Sequence, residues 1–396
     1  EKLVFFTPEE ADELRHTTFV SAQSHKLADE YWNKAEELEK QGKYLEAAKM
    51  YEKSAQAEKA SSSPRMEYLA AVVRETGYCY RLVGQNEKAV QYYEEALVIF
   101  RNLGQKGNVA NCLVNIGFVY KSWGQNEKAI KYYEEALVIY RKLGQKGNVA
   151  TCLNNIGTVY YNWCQYEKAI KYFEEALAIA RKLGQEDSAA YSLNNVGGVY
   201  DSWGQYDKAL KYYEEALVIF RKLGQKGNVA TCLNNIGTVY SSWGQYDKAI
   251  MNFEEALAIA RKLGQEDSVA IDLNNIGGVY LSWGQYDKAI MYFEEALAIG
   301  RKLGQGGYVA TYLNNIGNVY HNWGQYDKAI KYYEEALVIT RKLGLEDSVA
   351  TYLNNIGMVY HDWGQYDKAI KNFKEALDIF RKLGQKGNVA TCLNNI

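Results

Sequence analysis

Leu233-Asn234-Asn235-Ile236-Gly237-Thr238-Val239-Tyr240-Ser241-Ser242-Trp243-Gly244-Gln245-Tyr246-Asp247-Lys248-Ala249-Ile250 decides the fold of this chain. Variants of it recur along the sequence. Its first glycine returns at a spacing of 40 residues, as Gly77, Gly117, Gly157, Gly197, Gly237, Gly277, Gly317 and Gly357. A fixed period of this length marks a supersecondary unit that buries its apolar face only against its neighbours. The expected architecture is a linear stack, with function on a surface that recurs from unit to unit.

Residues 148–184 show how one unit is built. Leu153, Ile156, Tyr160 and Trp163 follow at three- and four-residue spacing, the stripe of an amphipathic helix. Asn148 stands where an N-cap is expected, matched by Asn108, Ser188, Asn228, Ser268, Ser348 and Asn388. Each has a short side chain able to accept from an exposed helical N–H. Cys164-Gln165, which is Gly-Gln in the other 40-residue copies, breaks the pattern, and glycine supplies the backbone angles of a tight turn. A second helix is predicted from about Tyr166 to Leu183, with Ala169, Ile170, Phe173, Ala176, Leu177 and Ile179 facing inward. Gly184 closes it as a left-handed cap. Gly157 and Ala169 are expected to face each other where the two helices come closest.

Small residues at Gly157, Ala169 and Ala176, with aromatics at Tyr160 and Phe173, resemble the tetratricopeptide repeat pattern. The chain is similar to the longer, 40-residue class found in kinesin light chains and in scaffolds that regulate G-protein signalling and bacterial quorum response. The resemblance covers about residues 28–396. It departs from the 34-residue form in lacking the proline that often closes a unit; Arg181 and its equivalents stand near that point. It implies an all-α, right-handed superhelical solenoid of antiparallel helix pairs, with the first helices lining a concave groove.

The expected organisation is an N-terminal segment with a short helix (1–27), a divergent unit (28–63), eight 40-residue units (64–389) and the start of an incomplete one (390–396). Thr7-Pro8-Glu9-Glu10 carries a capping box that opens a helix through about Val20. The apolar stretch Leu3-Val4-Phe5-Phe6 precedes it. Ser63 and Pro64 are expected as cap and first helical residue of the next element. The chain ends inside a repeat, which suggests a longer array. Loops of the type Lys146-Gly147-Asn148 alternate with Glu186-Asp187-Ser188, as duplication of a two-unit block would produce.

Composition narrows the function classes. The length would suggest two or three globular domains, but a repeat array has no single core to outgrow. A net charge of −2 argues against a nucleic-acid partner, whose binders show a basic excess. No apolar run approaches the roughly 18 residues of a membrane span, so no membrane partner is expected. Cys112, Cys152, Cys232 and Cys392 share one phase of the repeat, a whole unit apart and too far for disulfides. Together with Cys79 and Cys164, which lie elsewhere in the repeat, they read as small buried side chains of a cytoplasmic protein. No P-loop, GxSxG motif or metal-spaced Cys/His cluster occurs, so no catalytic residues, metal site or cofactor is expected.

The recurring polar feature of the first helix is a double asparagine: Asn154-Asn155, Asn194-Asn195, Asn234-Asn235, Asn274-Asn275, Asn314-Asn315 and Asn354-Asn355, with Asn115 alone in its copy. A primary amide presents donor and acceptor in one plane, as an extended peptide backbone requires. The resemblance implies this role for Asn155, since the matching asparagine is often used in this way in the resembled scaffolds. The structural alternative ties one member of each pair to the next unit. Lys and Arg are scarce among the neighbouring variable positions, so no carboxylate clamp is expected. Trp123, Trp163, Trp203, Trp243, Trp283, Trp323 and Trp363 read as core packing at the hairpin turn. His321 and His361 are too far offset to share a metal. The expected function is a scaffold that holds a protein or peptide ligand in the groove. The alternatives are a sensor array of a multidomain NTPase or protease, or a scaffold that self-associates end to end.

Overall fold

The computed structural model describes the backbone of residues 8–396 and the side chains from Val20 onward. Nineteen α-helices and no strand occur among the described residues. They are α1 (Pro8–Lys40), α2 (Tyr44–Lys59), α3 (Met66–Leu82), α4 (Asn86–Asn102), α5 (Lys106–Ser122), α6 (Asn126–Lys142), α7 (Lys146–Asn162), α8 (Tyr166–Lys182), α9 (Glu186–Ser202) and α10 (Tyr206–Lys222). The series continues with α11 (Lys226–Ser242), α12 (Tyr246–Leu263), α13 (Glu266–Ser282), α14 (Tyr286–Lys302), α15 (Gly306–Asn322), α16 (Tyr326–Leu343), α17 (Glu346–Asp362), α18 (Tyr366–Lys382) and α19 (Lys386–Asn395). They form consecutive antiparallel pairs, as the repeat predicts. The chain divides into two units, Glu1–Val199 and Tyr200–Ile396, and each is a run of such hairpins packed neighbour on neighbour.

The 40-residue period has a simple origin. In most copies both helices span 17 residues and a three-residue turn follows each. The turn uses one device throughout. Gly144 sits at φ 67° and donates to the Arg141 carbonyl at 3.1 Å, while Gln145 N–H reaches back to the Tyr140 carbonyl at 3.0 Å. These are the two bonds of a Schellman cap. Cys164-Gln165 closes the intra-hairpin turn in the same way, with bonds of 2.9 Å to Tyr161 and Tyr160.

Three sequence expectations are corrected. The N-cap of α7 is Gln145, not Asn148; Asn148 lies inside the helix and donates from Nδ2 to Gln145 Oε1 at 2.9 Å. The Schellman cap uses Leu143 and Gly144 and leaves glutamine as the only residue between that glycine and the next helix, which therefore starts directly after it. Likewise α3 begins at Met66 with Arg65 at the cap position, past Ser63 and Pro64. The helix expected to end near Val20 runs on to Lys40, because neither glycine nor proline occurs between Pro8 and Gly42. The stretch Leu3–Phe6 and Thr7 lie outside the described residues.

Inside each hairpin Leu153, Ile156 and Val159 from α7 meet Ala169, Phe173, Ala176 and Leu177 from α8, all buried. The periodic glycine also has a partner beyond the one expected. A methyl group on Gly157 would lie 2.7 Å from Phe173 Cε1, so the glycine makes room for the aromatic ring, and one on Gly77 would lie 3.0 Å from the Tyr93 ring and 3.2 Å from the carbonyl of Ala89, the equivalent of Ala169. On the exposed edge, Arg141 pairs with Glu175 and Arg301 with Glu335, both at 2.6 Å. Glu175 thus pairs with the preceding hairpin rather than with Lys171 one turn away. Half-exposed pairs of this kind contribute about 0–1 kcal/mol each.

The first hairpin is pinned more firmly. Glu58 is fully buried and accepts from Arg65 Nη2 at 2.8 Å and from His25 Nδ1 at 3.1 Å, while Arg65 Nη2 also reaches Asp29 at 2.8 Å. Burial acts to raise the Glu58 carboxyl, but the hydrogen bonds from Arg65 and His25 prevail and hold it below the usual carboxylate range.

Candidate peptide-binding face

The apolar face of α7 is consumed by packing, which leaves Thr151 exposed and Asn154, Asn155, Thr158 and Tyr161 half-buried. Within each unit some first helices also touch the next one: α3 meets α5, α5 meets α7, and α13 meets α15. The asparagine pairs therefore sit on a surface made of neighbouring first helices. The threonines there offer few donors, since Thr151 Oγ1 donates to Gly147 O and Thr158 Oγ1 to Asn154 O.

The two members of a pair differ. The first is tied to the following hairpin. Asn154 Nδ2 donates to Ser192 Oγ at 3.2 Å, and that hydroxyl lies 3.3 Å from Asn154 Oδ1. Asn354 Oδ1 likewise accepts from Asn395 Nδ2 at 3.1 Å, with Cys392 Sγ 3.6 Å away. The second member donates one N–H backward along the stack. Asn315 reaches Asn274 Oδ1 at 2.8 Å, and Asn355 reaches Asn314 Oδ1 at 2.9 Å. Each such amide keeps a second N–H, and Asn355 keeps its carbonyl oxygen as well. Asn115, Asn155 and Asn275 engage no side-chain partner among the described residues. Asn194, Asn195, Asn234 and Asn235 occupy the same two helical positions, with Asn194 and Asn235 also engaged.

Asn234 is the exception to the pattern. Its Nδ2 donates to Asp272 Oδ1 at 2.7 Å, while Asn234 Oδ1 and Asp272 Oδ2 are buried without partners. Asp272 fills the place held by Ser192 in another copy and by cysteine in others, and only 1% of it is exposed. Burial pushes its carboxyl up to about 6, against a weaker opposing pull from the Asn234 hydrogen bond.

The remaining sequence candidates resolve as follows. Asp362 bridges two imidazoles, lying 2.8 Å from His321 Nε2 and 3.0 Å from His361 Nδ1. Burial acts to raise its carboxyl, but the bonds from His361 and His321 prevail and lower it. No group of three or more His, Cys, Asp or Glu among the described residues is placed to hold a metal ion. The tryptophans are not core residues: Trp163 and Trp363 remain 37% and 38% exposed. All of them but Trp243 stack on the tyrosine one turn earlier, as Trp363 does on Tyr360 at 6.4 Å, and Tyr326 of the preceding turn leans on Trp363 at 6.0 Å. A notch of about 320 Å³ opens there beside Gln325, Asp327 and Lys328. A larger cavity, about 490 Å³, lies between Trp32, Glu36, Tyr51 and Arg74 in the first unit. No described helix is long and apolar enough to cross a membrane.

The tetratricopeptide repeat family model matches residues 68–142, 108–182, 188–262, 229–302, 267–342, 308–382 and 348–396. No curated protein matches the chain significantly. Among solved structures, the apo form of RapI is similar, with a TM-score of 0.61 and 17% identity over 92% of this chain and 99% of that one. A Rap protein complexed with competence and sporulation factor scores 0.52 at 16% identity, over 90% of this chain and 99% of that one. The signal transduction ATPase of Pyrococcus horikoshii with a tetratricopeptide repeat sensor scores 0.57 at 17% identity, over 87% of this chain and 55% of that one. At these identities the likeness is one of fold.

Proposed function

The chain belongs to the tetratricopeptide repeat family, and from that premise we propose that it is a non-catalytic scaffold that binds an extended or partly helical peptide along its first-helix face. The observation that carries this reading is the state of the second asparagine in several pairs. Asn355 is half-buried, oriented by one bond to the stack, and keeps an N–H and its carbonyl oxygen, Asn315 keeps a second N–H, and Asn155 and Asn275 engage no side-chain partner among the described residues. The first asparagine is the structural member, fixed to the next hairpin and supporting its neighbour's orientation. A Rap structure solved with competence and sporulation factor shares the fold, which supports the reading at that level.

The test is a display screen with random peptides, followed by anisotropy titration of the enriched sequences. A neutral hydrogen bond contributes about 0.5–1.5 kcal/mol, so Asn275→Ala and Asn355→Ala are each expected to weaken binding about three- to tenfold. A screen that enriches nothing, or peptides that bind both variants as well as the parent, would reject the groove.

A further inference from the structure

We infer that the step between α3 and α5 docks an acidic side chain of the bound peptide, a reading that rests on the groove proposed above. Arg81 and Lys121 occupy the same place in consecutive units, in the last turn of their first helices. Between them stands the Phe118 ring, 37% exposed. The Arg81 guanidinium carbon lies 4.7 Å from its centroid and 4.9 Å from that of Tyr78, and Lys121 Nζ lies 4.7 Å from the Phe118 centroid.

Neither cation has a carboxylate partner among the described residues. The other arginines of this region are matched: Arg74 with Glu75, Arg101 with Glu135 and Arg141 with Glu175. Arg81 Nε is buried with no acceptor, and burial lowers the Lys121 ammonium from its ordinary value with no anion to offset it. Two cations held against one ring and left unmatched are complementary to a carboxylate, with the ring covering the adjoining methylenes.

Position in the array supports an anchoring role. The α3 unit has Arg74-Glu75 where other units have the asparagine pair, and α5 has Asn115 alone. Charge is unmatched where the amides give out. At the same phase the later copies carry Tyr161, Asp201, Ser241, Leu281, His321 and His361, so the unmatched pair of strong cations is confined to this one step. A nucleic-acid backbone needs a continuing stripe of cations, whereas an extended peptide puts successive side chains of one face roughly 6.6 Å apart. Both cations lie within 5 Å of the same centroid, a span that one or two alternate acidic side chains can cover.

The test uses two fluorescein-labelled peptides in the same Ser/Thr host, one with a central Leu-Glu-Leu-Glu and the other with Leu-Gln-Leu-Gln. The Glu peptide is expected to bind the full chain at least tenfold more tightly at low salt. That advantage should vanish in Arg81→Gln/Lys121→Gln and persist in Arg81→Lys/Lys121→Arg, with far-ultraviolet circular dichroism unchanged. Equal affinities, including none for either peptide, or an advantage that survives the double Gln variant, would overturn the assignment. So would a single-stranded DNA of matched charge that binds as tightly and is lost in the same variant. Asn115→Ala/Asn155→Ala separates this inference from the groove itself. Weakening of both peptides with the Glu advantage intact supports both readings. Full retention of both peptides removes the groove and leaves the acidic anchor.

Discussion

Cys164 is exposed rather than buried as its residue type suggests, because it holds the hairpin turn at φ 56°, the only left-handed backbone among described residues other than glycine. Gly124, Gly204, Gly244, Gly284, Gly324 and Gly364 hold the equivalent turn at φ 72–75°. A side chain there costs about 1–2 kcal/mol, and the freer unfolded chain of a glycine variant returns part of that gain. Cys164→Gly is expected to raise stability by about 1 kcal/mol, seen as a higher urea midpoint. Asp272 behaves in the opposite way. Its orphaned Oδ2 and the orphaned Asn234 Oδ1 are both acceptors, and one proton on the carboxyl would serve both, as the Ser192 hydroxyl serves Asn154. A folded pKa raised to about 6 means the folded state keeps its proton after the unfolded chain has lost it. Stability is therefore expected to fall as pH rises from about 4 to about 6 and to stay lower above that. Asp272→Ser should remove that slope and stabilise the chain at pH 7.5 by about 1–3 kcal/mol; parallel urea-midpoint curves for variant and parent from pH 4 to 7 would contradict it. Asp272 is readable in the sequence as the odd member of a cysteine phase. Its isolation is not, because its partner lies 38 residues earlier on another helix.

At the scale of the helix, Gly277 and Gly278 are adjacent on α13 and meet opposite surroundings. A methyl on Gly277 would lie 2.8 Å from the buried Phe293 ring, while one on Gly278 meets nothing within 4 Å. Alanine improves helix propensity at either place by about 1 kcal/mol, but overpacking a core costs about 1–3 kcal/mol. Gly278→Ala should thus gain about 1 kcal/mol and Gly277→Ala should lose about as much or more, a contrast visible in urea melts of the two variants. The apolar stripe and the closing glycines made the helix pairs legible, because they depend on spacing within one unit. The caps were misplaced by three residues, since asparagine suits both a cap and the first helical turn. Gln305 Nε2 also donates to Asp267 Oδ1 at 2.6 Å, and Gln385 Nε2 to Asp347 Oδ1 at 2.7 Å. The alternation of Lys and Glu segments thus has a bonding consequence between units that no single copy reveals. The asparagine pairs were legible as a recurring polar face, but which amide binds the stack and which stays available depends on the offset between hairpins. Arg81 carries no such signal in the sequence, because its unit has Arg74-Glu75 in place of the asparagine pair.

Along the chain, several contacts at a hairpin boundary have a counterpart one period later, and this makes the linear stack itself testable. Removing residues 306–345 would join Gln305 to Glu346, so that α14 is followed by α17. Gly300, whose added methyl would lie 3.2 Å from the Tyr312 ring, would then face Tyr352, the residue in the same phase. Asn274 would receive Asn355 in place of Asn315, and Arg301 would meet Glu375 in place of Glu335. The His321–Asp362 link has no replacement, because Leu281 stands in the phase of His321. In a repeat array stability is close to a sum of unit and nearest-neighbour terms. The shortened chain is therefore expected to keep the ellipticity per residue at 222 nm and to melt cooperatively a few degrees lower. Removing residues 306–325 instead would place two second helices in succession. That deletion strands the apolar face of α16 without its first-helix partner and is expected to lose helicity or aggregate. A 40-residue deletion that fares as badly as the 20-residue one would mean that the fold depends on contacts reaching beyond adjacent hairpins.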